Sequence, residues 1–293
     1  MRARGLALLG AAALMLSACT AAARPRDAGL RVLAAETFLR DIAQNVAGEQ
    51  LEVESILPAG VDPHAFQATP QDAIKIAQAQ VLIMNGRGYE AWLEKSLKAG
   101  DGERIVVQAS EGAGSGSDAD PHLWMDPLNV VQYVENIRDA LSQAQPEGKA
   151  EFAANAEAYA AELRDLDAWI RAQVEQIPPE RRVLITNHHA LEAFAEAYGF
   201  EIAGVVIPSY TSGAAPSAQQ LAELIGTIQS LGAPAIFLDA SENPDLAQQI
   251  AAESEAQVIT GLYVETLSEP DGPAPTYLAM MRHDTGLIVE ALR

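Results

Sequence analysis

Five histidines occur in the 293-residue chain, and two stand in the same tripeptide, Asp62-Pro63-His64 and Asp120-Pro121-His122. Each proline fixes its own φ and pushes the residue before it towards extended backbone, so both tripeptides read as rigid turns. A third candidate, His188, comes just after the apolar run 183–186. Neutral imidazole is the commonest metal ligand among side chains. Three imidazoles with one carboxylate make a four-coordinate set of the kind Zn²⁺ accepts. The only cysteine is Cys19, which rules out an intramolecular disulfide and a thiolate zinc cluster. These residues point to capture of a divalent cation by nitrogen and carboxylate oxygen.

Short apolar runs alternate with helical patterns along most of the chain. Residues 30–34, 51–57, 81–84 and 105–107 read as buried strands, and 183–186, 202–207, 235–238 and 258–260 repeat the logic. Helical spacing covers 36–46, 70–79, 89–99 and 128–145, then 190–198, 217–231, 244–254 and a last helix from 276. Strands alternating with helices imply an α/β fold with mostly parallel sheets. In such sheets ligands bind in the crevice at the carboxyl ends of strands, which is where His64, His122 and His188 fall. Between the two series, residues 149–176 hold no Gly or Pro. As one helix they span about 42 Å, enough to run along both lobes. Their apolar positions do not read as a strict heptad, so a packed spanning helix is expected rather than a coiled-coil arm.

The formal net charge of −21 argues against a nucleic-acid partner, because phosphate backbones require a basic patch. The first 18 residues have the form of a secretory signal, with Arg2 and Arg4 ahead of the apolar core 6–16. That core is too short to span a membrane as a helix. Leu16-Ser17-Ala18-Cys19 resembles a bacterial lipobox, which would make Cys19 the acylated N-terminus of the mature chain. Its removal would strip two arginines and make the protein still more acidic. The expected layout is a signal peptide at 1–18, a lipidated tether at 19–29, an N-terminal lobe at 30–145, a connecting helix at 146–178 and a C-terminal lobe at 179–293.

Several stretches resemble the metal-specific solute-binding lipoproteins of bacterial ABC importers, the zinc/manganese (TroA-like, cluster A-I) group. They are 60–64 (GVDPH), 79–86 (AQVLIMNG), 120–129 (DPHLWMDPLN), 186–190 (TNHHA) with Phe194 and Tyr198-Gly199, Pro216-Ser217, and 277–282 (YLAMMR). The resemblance covers about residues 30–293. It implies two α/β lobes joined by one long rigid helix, with the metal in the cleft between them. It also implies His64, His122 and His188 as nitrogen ligands. The fourth ligand position falls on Glu265, where the family usually has Asp. His189 stands where Asp is common, and is either a partner behind the ligands or a competitor of His188. Asp62 is expected behind the ligands too, and Trp124, Tyr263 and Phe66 are expected to wall the site. His283 is expected to be structural.

The function implied is capture of zinc, with manganese or iron as the alternative, and delivery to an ABC permease. The protein is expected to be a membrane-anchored, extracytoplasmic monomer and not an enzyme. A zinc hydrolase is the alternative of another class. It lacks a His-Glu-x-x-His helix and would need Glu265 as general base. A site for an organic chelate would need a broader pocket with aromatic or Arg contacts.

Overall fold

The computed structural model describes residues 29–98, 104–114, 120–212 and 215–293. The N-terminal part forms a four-stranded sheet from β1 (Val32–Ala34), β2 (Val53–Ser55), β3 (Val81–Met84) and β4 (Ile105–Gln108). The strands lie in the order β2-β1-β3-β4 and all pair in parallel. The central strands β1 and β3 are buried along their whole length, as the apolar sequences VLA and VLIM require when helices cover both faces. Helices α1 (Thr37–Ala47), α2 (Pro70–Gln78) and α3 (Ala91–Lys98) provide the crossovers, and α4 (Pro127–Ala144) follows β4.

The C-terminal part repeats this arrangement. Strands β5 (Val183–Thr186), β6 (Glu201–Val205), β7 (Ala235–Asp239) and β8 (Gln257–Leu262) form a parallel sheet in the order β6-β5-β7-β8. Helices α6 (Glu192–Tyr198), α7 (Ala218–Leu231) and α8 (Asp245–Ser254) connect them, and α9 (Tyr277–Leu292) closes the chain. The helix starts follow local chemistry. Thr69 with Asp72, and Ser217 with Gln220, form reciprocal capping boxes at α2 and α7. Asp126 accepts from the Leu128 amide, with Pro127 at the first position of α4.

Between the sheets runs α5 (Lys149–Val174), 26 residues and about 39 Å long. It packs on α1 and α4 from one lobe and on α6 and α9 from the other. Its buried face is Phe152, Ala156, Tyr159, Leu163, Leu166 and Ile170. Ala160, Asp167 and Val174 are buried as well, and the six alternate in spacing between four and three, closer to a heptad than the sequence suggests. The seam joins one continuous hydrophobic core that includes Phe38, Ile42 and Tyr133 on one side and Phe194, Tyr277 and Met281 on the other. Each such side chain contributes roughly 1.5–3 kcal/mol when buried, so the lobes are fused through their interior. Smaller clusters around Leu82 and around Ile236 back the outer faces of the two sheets. Among the described residues no helix is long and apolar enough to cross a membrane.

Two differences from the sequence reading have simple causes. The strand expected at 51–57 is regular only over Val53–Ser55, although the amides of Ile56 and Leu57 still bond to the Ala34 and Ala35 carbonyls at 2.9 and 3.0 Å before the chain turns at Pro58. The helix expected from 190 begins at Glu192, because the His189 amide bonds to the Ser209 carbonyl and Ala190 to the His188 carbonyl.

Candidate metal centre

The repeated Asp-Pro-His has a single physical explanation. In both copies the aspartate accepts a hydrogen bond from the histidine amide two residues on: Asp62 from His64 at 2.7 Å and Asp120 from His122 at 2.8 Å. The proline between them has no N–H to compete and holds φ for the turn. Each histidine is therefore aimed by its own tripeptide. The first copy is further held by Ser212, whose hydroxyl donates to Asp62 Oδ2 at 2.6 Å, and by Thr266, whose hydroxyl accepts from the Gly60 amide at 2.9 Å. The second copy is held by Asn85 at the end of β3. The Asn85 side chain donates to the Pro121 carbonyl at 2.9 Å and accepts from the Tyr133 hydroxyl at 2.6 Å.

His188 leaves the end of β5, where the Thr186 hydroxyl donates to its carbonyl at 2.8 Å. Glu265 follows β8. The amides of Val264 and Glu265 donate to Asp239 Oδ2 at 2.5 and 3.2 Å, which fixes the loop that presents it. All four come from loops at the carboxyl ends of strands, two from each lobe.

The four side chains meet in the cleft. One donor atom from each of His64, His122, His188 and Glu265 lies within 4.8 Å of all the others. Glu265 Oε1 stands 2.7 Å from His64 Nε2, 3.4 Å from His122 Nε2 and 3.2 Å from His188 Nε2. Distance and alignment disagree here in an informative way. His64 Nε2, His122 Nε2 and Glu265 Oε2 are buried yet have no well-directed hydrogen bond. Buried polar atoms without partners are costly, so converging orphans of this kind fit a cation between them. A cavity of about 10 Å³ lies against His188, lined also by Asp239 and Glu242. That is room for about one water behind the His188 ring. Larger clefts, such as the one of about 630 Å³ beside Gln44 and Glu52, do not include these side chains.

The electrostatics match. Burial alone would push the Glu265 carboxyl up, but the imidazoles of His122, His188 and His64 close beside it outweigh this and hold the group well below the usual range. Burial would push His188 down, but the carboxylates of Glu242 and Glu265 carry it up to about 10. His122 is raised against its burial by Asp120 and Glu265. Without metal, protons hold the imidazoles and carboxylates together, and a cation would displace them.

Of the other residues singled out from the sequence, Trp124 stands at the site. It is fully buried, 5.2 Å from the His122 ring, stacked on Phe38 at 4.4 Å, with its indole N–H on the Val264 carbonyl. Phe66 packs instead on Trp92 in the outer cluster. The Tyr263 ring turns towards His283, whose Nε2 is 3.0 Å from the Gly261 carbonyl. His189 lies outside the group of four. It pairs with Glu192 and packs against Tyr210. Cys19 lies outside the described residues.

Three contributors escaped the sequence reading. Tyr89 packs edge-on against His64 and His122, at 5.0 and 5.7 Å. Asp239 anchors the Glu265 loop, and Glu242 meets His188. The residues 89, 239 and 242 carry no motif, and only the meeting of distant loops reveals them. Next to Tyr89 lies a buried pair of carboxyls, Glu36 and Glu90. Glu90 accepts from the amides of Asn85 and Gly86, and burial pushes it up to about 7. Neither oxygen of Glu36 has a hydrogen-bond partner among the described residues, and burial together with the charge of Glu90 raises it well above the usual range.

The family described as "Zinc-uptake complex component A periplasmic" (ZnuA) matches residues 32–291. The manganese-binding lipoprotein MntA of Halalkalibacterium halodurans is 32% identical over 269 residues, 90% of this chain and 89% of that one. The iron-binding protein YfeA of Yersinia pestis is 35% identical over 278 residues, 92% of this chain and 88% of that one. Among solved structures, the periplasmic zinc binding protein TroA from Treponema pallidum superposes with a TM-score of 0.83 at 28% identity, over 89% of this chain and 98% of that one.

Proposed function

Because the chain belongs to the ZnuA family of metal-binding, substrate-binding proteins of ABC importers, we propose that His64, His122, His188 and Glu265 take up one divalent cation for delivery to an importer's permease. The observation that carries the reading is the convergence of three imidazoles and one carboxylate whose buried atoms lack other partners. The cation is cargo, and the chain is a binding protein, not an enzyme. The hydrolase alternative has no support among its relatives.

Zinc is the proposed cargo. Three nitrogen donors with one carboxylate suit Zn²⁺, whereas Mn²⁺ prefers a site richer in oxygen. Manganese or iron is the second reading, favoured by the names of MntA and YfeA. The test is to strip the protein with chelator and titrate it with Zn²⁺ and Mn²⁺ in competition. One equivalent of zinc bound tightly, and lost in His122→Ala, supports the assignment. Unchanged binding by that variant overturns it.

The proposed location is outside the cytoplasm, on a membrane surface, through acyl chains on Cys19. The lipobox-like stretch 16–19 and the similarity to MntA, a manganese-binding lipoprotein, support this. One acyl chain gives marginal attachment and two give a stable one. Cys19→Ser should release the protein from the membrane fraction. Retention there would count against the anchor. The lobes at 30–145 and 179–293, with 146–178 between them, remain the proposed domain division.

A further inference from the structure

The geometry points to Glu242 as a positioning residue for His188, and through it as a determinant of metal affinity. Glu242 lies in the loop between β7 and α8, with its amide on the Asp239 carbonyl at 3.2 Å. A loop carboxylate would ordinarily face water. This one is 4% exposed, and its Oε1 lies 3.1 Å from Nδ1 of His188. Burying a carboxylate is costly unless it is paired, so the contact is what keeps it inside. The contact also fixes the ring. With Nδ1–H donated to Glu242, the lone pair of His188 sits on Nε2, the nitrogen that faces Glu265 Oε1 at 3.2 Å. A carboxylate on the far nitrogen holds an imidazole in orientation and makes it a stronger donor.

The three histidines differ in this respect. Asp120 serves His122 from two residues away, with Oδ1 3.1 Å from Nδ1. Glu242 serves His188 from 54 residues away. His64 has no carboxylate on its far nitrogen among the described residues. Asp239 makes the distant arrangement dependable. Its Oδ1 accepts from the amide and hydroxyl of Ser241 at 2.7 and 2.6 Å, while its Oδ2 accepts from the amides of Val264 and Glu265. One aspartate thereby locks the loop bearing Glu242 to the loop bearing Glu265, and His188 is gripped between the two glutamates.

This inference rests on His188 being a ligand, and the experiment separates the two. Metal-free wild type, Glu242→Ala, Glu242→Gln and His188→Ala are titrated with Zn²⁺ against a competing chelator. The Co²⁺-loaded forms are compared by visible absorption, which reports ligand geometry. The expected result is zinc affinity lower by about 10–100-fold in Glu242→Ala and about tenfold in Glu242→Gln, with altered Co²⁺ bands. His188→Ala should be weaker still. If Glu242→Gln binds zinc like wild type while His188→Ala is weakened, the positioning role is overturned and the ligand set stands. If His188→Ala binds like wild type, the ligand reading falls and takes this inference with it. Should Glu242→Ala fail to fold, Glu242→Gln decides alone, since it keeps the shape and removes the charge. A purely structural role would lower the melting temperature of the variants and leave affinity and absorption unchanged.

Discussion

The indole Nε1–H of Trp124 donates to the carbonyl oxygen of Val264 at 2.8 Å, across the cleft. Trp124 lies two residues after His122, and Val264 directly precedes Glu265. The bond therefore ties the loop bearing His122 to the loop bearing Glu265. Trp124→Phe would keep much of the ring contact with Phe38 but leave a buried carbonyl unpaired. A loss of about 1–3 kcal/mol is expected. In a chain of this size that lowers the melting temperature by roughly 2–4 °C per kcal/mol. An unchanged melting curve would show the bond to be dispensable.

Cation binding should stabilise the fold, because the unfolded chain has no preformed site. At 100 times its dissociation constant a ligand adds about 2.7 kcal/mol. The melting temperature of chelator-treated protein should then rise on adding zinc by roughly 5–10 °C. His122→Ala should lose this rise. A rise of equal size in the variant would place the cation elsewhere.

The loop bearing His64 is the expected exit. The Thr266 hydroxyl accepts from Gly60 and so fastens that loop to the Glu265 loop, which the Thr37 hydroxyl in turn ties to the start of α1 by accepting from the Leu267 amide at 2.8 Å. Thr266→Val removes the acceptor for Gly60, at about 1 kcal/mol. Metal release into excess chelator, followed by stopped flow, should quicken by about fivefold. No change in that rate would mean that the ion leaves by another route.

Stability without metal should fall as pH rises. Glu36 and Glu90 ionise at about 4.3 in the unfolded chain and at higher pH when folded, Glu90 at about 7. The folded state then holds more protons, so the contribution is complete below about pH 4 and is lost as pH climbs through about 7. Asp239, raised by burial to about 7, acts in the same sense. Metal-free protein should melt at a lower temperature at pH 8 than at pH 5.5. Glu36→Gln, which copies the protonated form, should narrow that gap. A gap of the same width would place the effect on other groups.

The alternation of apolar strands and helices, and the helix between the lobes, could be read from the sequence because period and turn chemistry are local properties. The paired Asp-Pro-His motifs were legible for the same reason: aspartate, proline and histidine settle their turn within three residues. Glu242 was not, since its partner lies 54 positions away and its neighbours look like an ordinary helix approach. Tyr263 shows the opposite failure. It adjoins the Glu265 loop in sequence, yet its amide bonds to Asp284 of α9 at 2.9 Å, Leu262 and Val264 on either side are buried, and its ring lies towards His283.

The four side chains are contributed two by two. His64 and His122 belong to one sheet's loops, and His188 and Glu265 to the other's. On the proposed ligand set each lobe alone is half a chelator, and the grip of the whole depends on how high an effective concentration one half presents to the other. That concentration is set by α5, buried in the core shared by both lobes. A permease need not compete for four bonds at once. Drawing back the His64 loop alone would remove one donor from the set, and the loss of that cooperation would speed release of the ion.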